Sequence, residues 1–252
     1  MSDDTTPTPP TNTNGRFIDM GNREAAELVE DAIVHLWSVV NDLNRLKDQC
    51  PRYYRVSIFG SARLQPDDPT YIQVRDLAAQ LAAMGCDIVT GGGPGLMQAA
   101  NEGEHIGDPD GKTRSYGIRV ELPFEKGANP FVEKNFTHGT FYSRLHHFIR
   151  LSSAFIVVPG GIGTTLETFM VWQLLQVEHI TDRPLILVGS MWRELLGWAN
   201  THLAGHNPPL ASDEDIHLAQ CVDTIDEAIA IIQQHKAKFT QGSPSVQGSA
   251  TS

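Results

Sequence analysis

From Tyr53 onward, short runs of β-branched and aromatic residues alternate with longer segments of helical periodicity, and this alternation most narrows the folds open to the chain. The runs are 55–59, 87–90, 116–122, 154–158, 184–188 and 218–222. Helical patterns fill 71–84, 95–104, 141–152, 165–177, 191–203 and 224–238. The runs are almost continuously apolar, as in Ala154-Phe155-Ile156-Val157-Val158, so both faces of each strand need cover. Such a pattern predicts an α/β fold, a doubly wound and mostly parallel sheet with helices on both faces. With 252 residues and 40% hydrophobic content, the chain can bury one core of this kind and still carry tails.

The flanks differ in character. Residues 1–15 and 241–252 are polar and rich in Ser, Thr, Pro and Gly, and are expected to be disordered tails. Residues 16–50 are expected to be a helical extension, because Ala26, Leu28, Val29, Ile33, Leu36, Trp37, Val40, Leu43 and Leu46 recur at helical spacing. The main domain is placed at 51–240. A net charge of −11 argues against a nucleic-acid backbone or an anionic membrane as partner. No apolar run approaches the length of a membrane span. Cys50, Cys86 and Cys221 are odd in number, widely separated and without a C-x-x-C pair, which points to buried thiols in a reducing compartment. The amino-terminal stretch lacks the basic and apolar regions of a signal peptide, so a cytoplasmic location is expected.

In a parallel sheet, ligands bind beyond the carboxyl ends of the strands. Three of the loops there are rich in small residues: Gly60-Ser61-Ala62-Arg63, Gly91-Gly92-Gly93-Pro94-Gly95 and Pro159-Gly160-Gly161-Ile162-Gly163-Thr164. One such loop would be ordinary turn chemistry; three after three strands favour a phosphate-bearing ligand held by backbone amides. The common fingerprints fail. Leu96 stands where a dinucleotide motif needs its last glycine, and Ile106 where a P-loop ending in Gly111-Lys112-Thr113 needs its first. No H-E-x-x-H or comparable spacing supports a metal, and none is expected.

The last loop carries a carboxylate close to its anion cradle. Thr164-Thr165-Leu166-Glu167 fits a capping box, with Thr164 at the N-cap and Glu167 reaching back to it. It equally fits a nucleotide site: three residues of helix advance about 4.5 Å, which carries a phosphate-binding end to a ribose-facing carboxylate. In 141–152, Phe141, Leu145, Phe148 and Ile149 are expected to be buried, leaving Arg144, His146, His147 and Arg150 on other faces. Arg144 could reach the pocket mouth. His146 and His147 are not a metal pair, since helix neighbours point about 100° apart.

"TGGGPGLMQAANEG" (Thr90 to Gly103) and "PGGIGTTLE" (Pro159 to Glu167) resemble the two signatures of the LOG (LONELY GUY) proteins, and the resemblance runs from about Arg55 to Lys238. It implies a Rossmann-like fold, a homodimer or higher homo-oligomer, and hydrolysis of a nucleoside 5′-monophosphate to free base and ribose 5-phosphate without metal or redox cofactor. It also implies that Glu167 and Arg144 are catalytic and that Gly160, Gly161, Gly163 and Thr164 hold phosphate. Gly92, Gly93, Gly95 and Met97 would line the nucleotide pocket, with Gly60 and Ser61 at the end of the first strand. Helices 141–152 and 165–177 would pack across a two-fold. Two positions depart from the family pattern: Leu145 stands where relatives have Lys, and Gln98 where many have Glu. A carrier of a nucleotide or of molybdenum cofactor on the same frame is the alternative; it would need the glycine loops but neither Glu167 nor Arg144. Lysine decarboxylation would require a Schiff-base lysine that the loops do not offer.

Overall fold

The computed structural model describes residues 53–121 and 127–242. The expected amino-terminal tail and helical extension, Cys50, Leu122 and the tail beyond Gly242 lie outside them. The described residues form seven strands, mostly alternating with helices: β1 (Arg55–Phe59), α1 (Pro69–Ala83), β2 (Asp87–Thr90), α2 (Leu96–Gly107), β3 (Ser115–Val120), β4 (Lys134–His138), α3 (Phe141–Leu151), β5 (Ala154–Val157), α4 (Ile162–Gln176), β6 (Leu185–Val188), α5 (Ser190–Ala199), α6 (Asp213–His217), β7 (Ala219–Val222) and α7 (Ile225–Gly242). A π-helical turn, Asn200–Ala204, follows α5.

All seven strands are parallel, in the order β4-β3-β2-β1-β5-β6-β7. Successive strands step outward one way from β1, and the chain then returns to add β5 on its other side. That reversal opens a crevice at the carboxyl ends of β1 and β5. Side chains alternate along each strand and feed two cores. Val56, Ile58, Ile156 and Ile186 pack with Leu77 and Leu81 of α1, Leu96 of α2 and Ile232 of α7. Phe59, Phe155, Val157 and Leu187 pack on the opposite face with Phe148 of α3, Val171 of α4 and Trp192 of α5. The expected doubly wound α/β architecture is therefore the observed one.

Three local expectations are corrected. Lys-Asn-Phe-Thr-His at 134–138 forms an edge strand, β4, that has no apolar run to announce it; it pairs only with β3 and leaves most of its side chains in solvent. Phe141, the first residue of α3, is half exposed and Leu145 only partly covered rather than buried; within that helix only Phe148 and Ile149 are fully covered. Helix α7 runs to Gly242, two residues into the expected tail.

Candidate active site

The three glycine-rich loops meet through their backbones. Ser61 N–H donates to the Pro159 carbonyl (3.0 Å), and Leu96 N–H donates to the Ser61 carbonyl (2.8 Å). The loop after β1 is thus the middle member, clamped by the loops after β2 and β5. Gly95 makes this possible. It has φ +69°, and a Cβ there would stand 2.4 Å from the Ser61 oxygen, so only glycine permits the approach. Behind the contact, Asn129 donates from its side chain to the Gly93 carbonyl (3.0 Å) and to Asn101 Oδ1 (2.9 Å), and its backbone N–H donates to the Gly92 carbonyl (2.9 Å). Thr90 Oγ1 accepts from Gly92 N–H (2.9 Å) and donates to Asn101 (2.7 Å). This buried network, every polar group answered, fixes the glycine loop.

In front of the loops lies a cavity of about 500 Å³. Of the residues singled out from sequence, Gly60, Ser61, Met97, Arg144, Gly161, Gly163, Thr164 and Glu167 line it. Gly92, Gly93, Gly95 and Gly160 do not. Gly92 packs against Gly117 and Arg119, Gly93 against Met97, Gly95 against the loop after β1 and Gly160 against Thr164. They shape the wall from behind. Sequence reasoning left Ala62, Arg63, Val120, Phe141 and Ile162 out of the lining. Arg63 could have been found, since it follows Ser61 on a loop at a strand's carboxyl end.

Helix α4 begins earlier than its sequence suggests, and this decides the role of its carboxylate. The N-cap is Gly161, without a side-chain cap bond, so Ile162, Gly163 and Thr164 are the first three helical residues. Their amides have no partner within the helix, and they border the cavity. The capping box expected at Thr164 and Glu167 does not form. Starting at Gly161 places Thr164 and Glu167 one turn apart on a single buried face, inside the helix. At α2 the first amide is already taken by Ser61, so α4 is the helix whose positive end opens on the void.

Glu167 instead bonds Arg144. The guanidinium Nη1 stands 2.8 Å from Glu167 Oε1, with side chains only 12% and 8% exposed. Arg144 is held from three further sides: its Nε donates to the Ile118 carbonyl (2.9 Å), its guanidinium lies over the Phe148 ring (5.1 Å), and it packs against Gly91. A Cβ on Gly91 would fall 2.7 Å from Arg144 Nη2, so that glycine makes room for the cation. Burial pushes the Glu167 carboxyl above its ordinary value, and Arg144 opposes the shift. The arrangement presents a desolvated carboxylate, a fixed guanidinium and open helix amides around one void. Such a set can hold a phosphate at one end and meet developing positive charge at the other.

Beside this site, His138 Nε2 and His147 Nδ1 are 2.9 Å apart, and His138 Nδ1 reaches Ser143 Oγ at 3.1 Å. Burial and the neighbouring His138 and Arg150 push His147 down to about 4. Among the described residues no helix is long and apolar enough to cross a membrane.

A family model described as "Possible lysine decarboxylase" matches residues 97–232, just over half of the chain. A pyrimidine/purine nucleotide 5′-monophosphate nucleosidase of Escherichia coli strain K12 is 31% identical over 130 residues, covering 47% of this chain and 28% of that protein. A probable cytokinin riboside 5′-monophosphate phosphoribohydrolase of Oryza sativa subsp. japonica is 30% identical over 131 residues, covering 51% of this chain and 52% of that one. The chain thus spans about a quarter of the first relative and about half of the second. Among solved structures, the molybdenum cofactor binding protein of Rippkaea orientalis superposes with a TM-score of 0.55 at 17% identity, covering 73% of this chain and 97% of that one. The Moco carrier protein of Chlamydomonas reinhardtii gives 0.53 at 22%, covering 74% and 99%. At these identities the two structures speak for the fold.

Proposed function

The chain belongs to the LOG family, whose model carries the description "Possible lysine decarboxylase", and from that premise we propose that it hydrolyses the N-glycosidic bond of a nucleoside 5′-monophosphate. The observation that carries the proposal is the buried 2.8 Å pair of Arg144 and Glu167 on the wall of the cavity where the glycine loops meet. The names of the Escherichia coli and rice relatives support the same chemistry.

In this mechanism the phosphate rests against the amides of Ile162, Gly163 and Thr164, at the positive end of α4. One turn on, about 4.5 Å along the axis, Glu167 meets the ribose. Breaking the bond between C1′ and the base nitrogen leaves the electron pair on the base and positive charge on the sugar. Glu167 stabilises that charge and takes a proton from the water whose oxygen bonds to C1′. Free base and ribose 5-phosphate result once the departing nitrogen gains a proton. Arg144 holds the carboxylate in position and favours its ionised form against burial. Arg63 adds positive charge to the cavity wall. No lysine stands among the described lining residues, which is why decarboxylation through a Schiff base is not proposed.

AMP and cytokinin riboside monophosphates are the substrates this proposal names, acted on in the cytoplasm without metal or redox cofactor. Homodimerisation through α3 and α4 belongs to it as well, and the exposed Tyr142, Leu166 and Phe169 support that part. The division into a main domain at 51–240 with a helical extension is carried on the same footing. Glu167→Gln keeps the shape and removes the charge. Release of adenine and ribose 5-phosphate from AMP should fall by about 100-fold or more, and an unchanged rate would remove Glu167 from catalysis. Tight binding of nucleoside monophosphates by the unaltered protein with cleavage of none would favour a carrier instead.

A further inference from the structure

At the edge of the sheet opposite the cavity, Glu104, His105 and Glu133 converge. The first two lie in the last turns of α2, and Glu133 immediately precedes β4. This is the amino-terminal end of β3 and β4, whereas the cavity is built at strand carboxyl ends. Glu104 is 2% exposed. Its Oε1 accepts from the Thr113 hydroxyl at 2.7 Å. Its Oε2 is buried and has no hydrogen-bond partner. A buried carboxylate oxygen left without a well-formed hydrogen bond, with only the His105 imidazole drawn up beside it, is costly enough to need a cause.

That bare oxygen is aimed at His105 Nδ1, 3.4 Å away. One ligand atom from each of the three residues lies within 4.8 Å of the others. Two ligands about 2.1 Å from a tetrahedral ion stand about 3.4 Å apart, which is the Glu104–His105 separation. Glu133 is exposed, and rotation of its side chain can close the remaining gap. Arg114 approaches Glu133 only to 3.8 Å, too far for a hydrogen bond. Glu133 comes from a different element than the adjacent Glu104 and His105, so no local spacing in the sequence announces the set.

We propose that Glu104, His105 and Glu133 bind a divalent transition cation of the zinc class, joining α2 to the edge strand β4. The imidazole in the donor set favours zinc, copper or nickel over magnesium and calcium, which prefer oxygen alone. The ion would answer the bare Glu104 oxygen, relieve the repulsion between the two carboxylates, and fasten a strand that pairs on one side only.

The test uses untagged full-length protein, stripped with EDTA and titrated with zinc chloride by calorimetry and by thermal unfolding. One equivalent should bind. At a free concentration a hundredfold above Kd, Tm should rise by about 5–10 °C. His105→Ala and Glu133→Gln, both at exposed positions, should each weaken binding at least tenfold while leaving Tm in EDTA nearly unchanged. Glu104→Gln should do the same to binding. An absence of heat and Tm shift in the unaltered protein overturns the proposal, as does unweakened binding by the His105→Ala/Glu133→Gln double variant. An equal response to magnesium chloride overturns the assignment to the transition class.

Discussion

Replacing Arg144 by Met should destabilise the protein by an amount that grows with pH. In the folded protein the Glu167 carboxyl lies above its reference value of 4.5, first because it is buried and despite Arg144. Between about pH 4.5 and the folded value, the folded state therefore holds a proton that the unfolded chain has lost. Stability falls as pH rises from about 4.5 through the folded value, and is highest below that window. Arg144→Met withdraws the influence that lowers the carboxyl, so in the variant the fall continues to higher pH. Each further unit of separation adds about 1.4 kcal/mol. Breaking one side of a buried pair costs about 3–5 kcal/mol in full, and both side chains are buried enough for that range to apply. A second loss, the bond from Arg144 to the Ile118 carbonyl, contributes about 1 kcal/mol at every pH. Urea unfolding at one protein concentration should then give a penalty of about 1–2 kcal/mol at low pH, rising towards about 3–5 kcal/mol once pH passes the folded value of Glu167. Adding Glu167→Gln to Arg144→Met should recover most of the pH-dependent part. A penalty that is flat from pH 5 to 8, or a double variant no more stable than Arg144→Met at pH 8, refutes the reasoning.

Gly95→Ala forces a side chain onto a backbone at φ +69° and against the Ser61 oxygen, so it should cost about 1–3 kcal/mol from conformation alone and more from the contact. Thermal unfolding should show a clear drop in Tm, with weaker AMP binding as the loops part; an unchanged Tm contradicts the clamp. His147, pushed down to about 4, should remain neutral at pH 5.5 in an NMR titration of the imidazole carbons. Because its folded value is lower than the unfolded 6.5, stability should decline as pH falls from about 6.5 towards 4. A His147 midpoint above 6 would show that its ring is not desolvated as described.

Much of the fold was legible because burial on both faces leaves a direct trace. Ala154-Phe155-Ile156-Val157 has to be apolar throughout to feed both cores, and the pattern shows it. Lys-Asn-Phe-Thr-His carries no such trace, since an edge strand owes its place to backbone bonds with β3 that any side chain allows. The start of α4 was misplaced for a related reason. Thr164 and Glu167 satisfy a capping rule on paper, but the helix takes up Gly161-Ile162-Gly163 ahead of them, and the threonine becomes an inward-facing residue. The glycine loops were rightly located at strand ends, yet Gly92, Gly93, Gly95 and Gly160 face the neighbouring strand, helices and loop rather than the cavity.

By itself the sequence determined the layers, the parallel sheet and the three strand-end loops, because periodicity and glycine placement are local consequences of burial and backbone freedom. Tertiary structure alone decided that Arg144 and Glu167 touch, that Arg63 and Phe141 share their cavity, and that Glu104, His105 and Glu133 meet at the far edge. The physical reason is that such contacts depend on how strands stack side by side, and a residue's own neighbours in the chain carry no record of which strand will lie next to it.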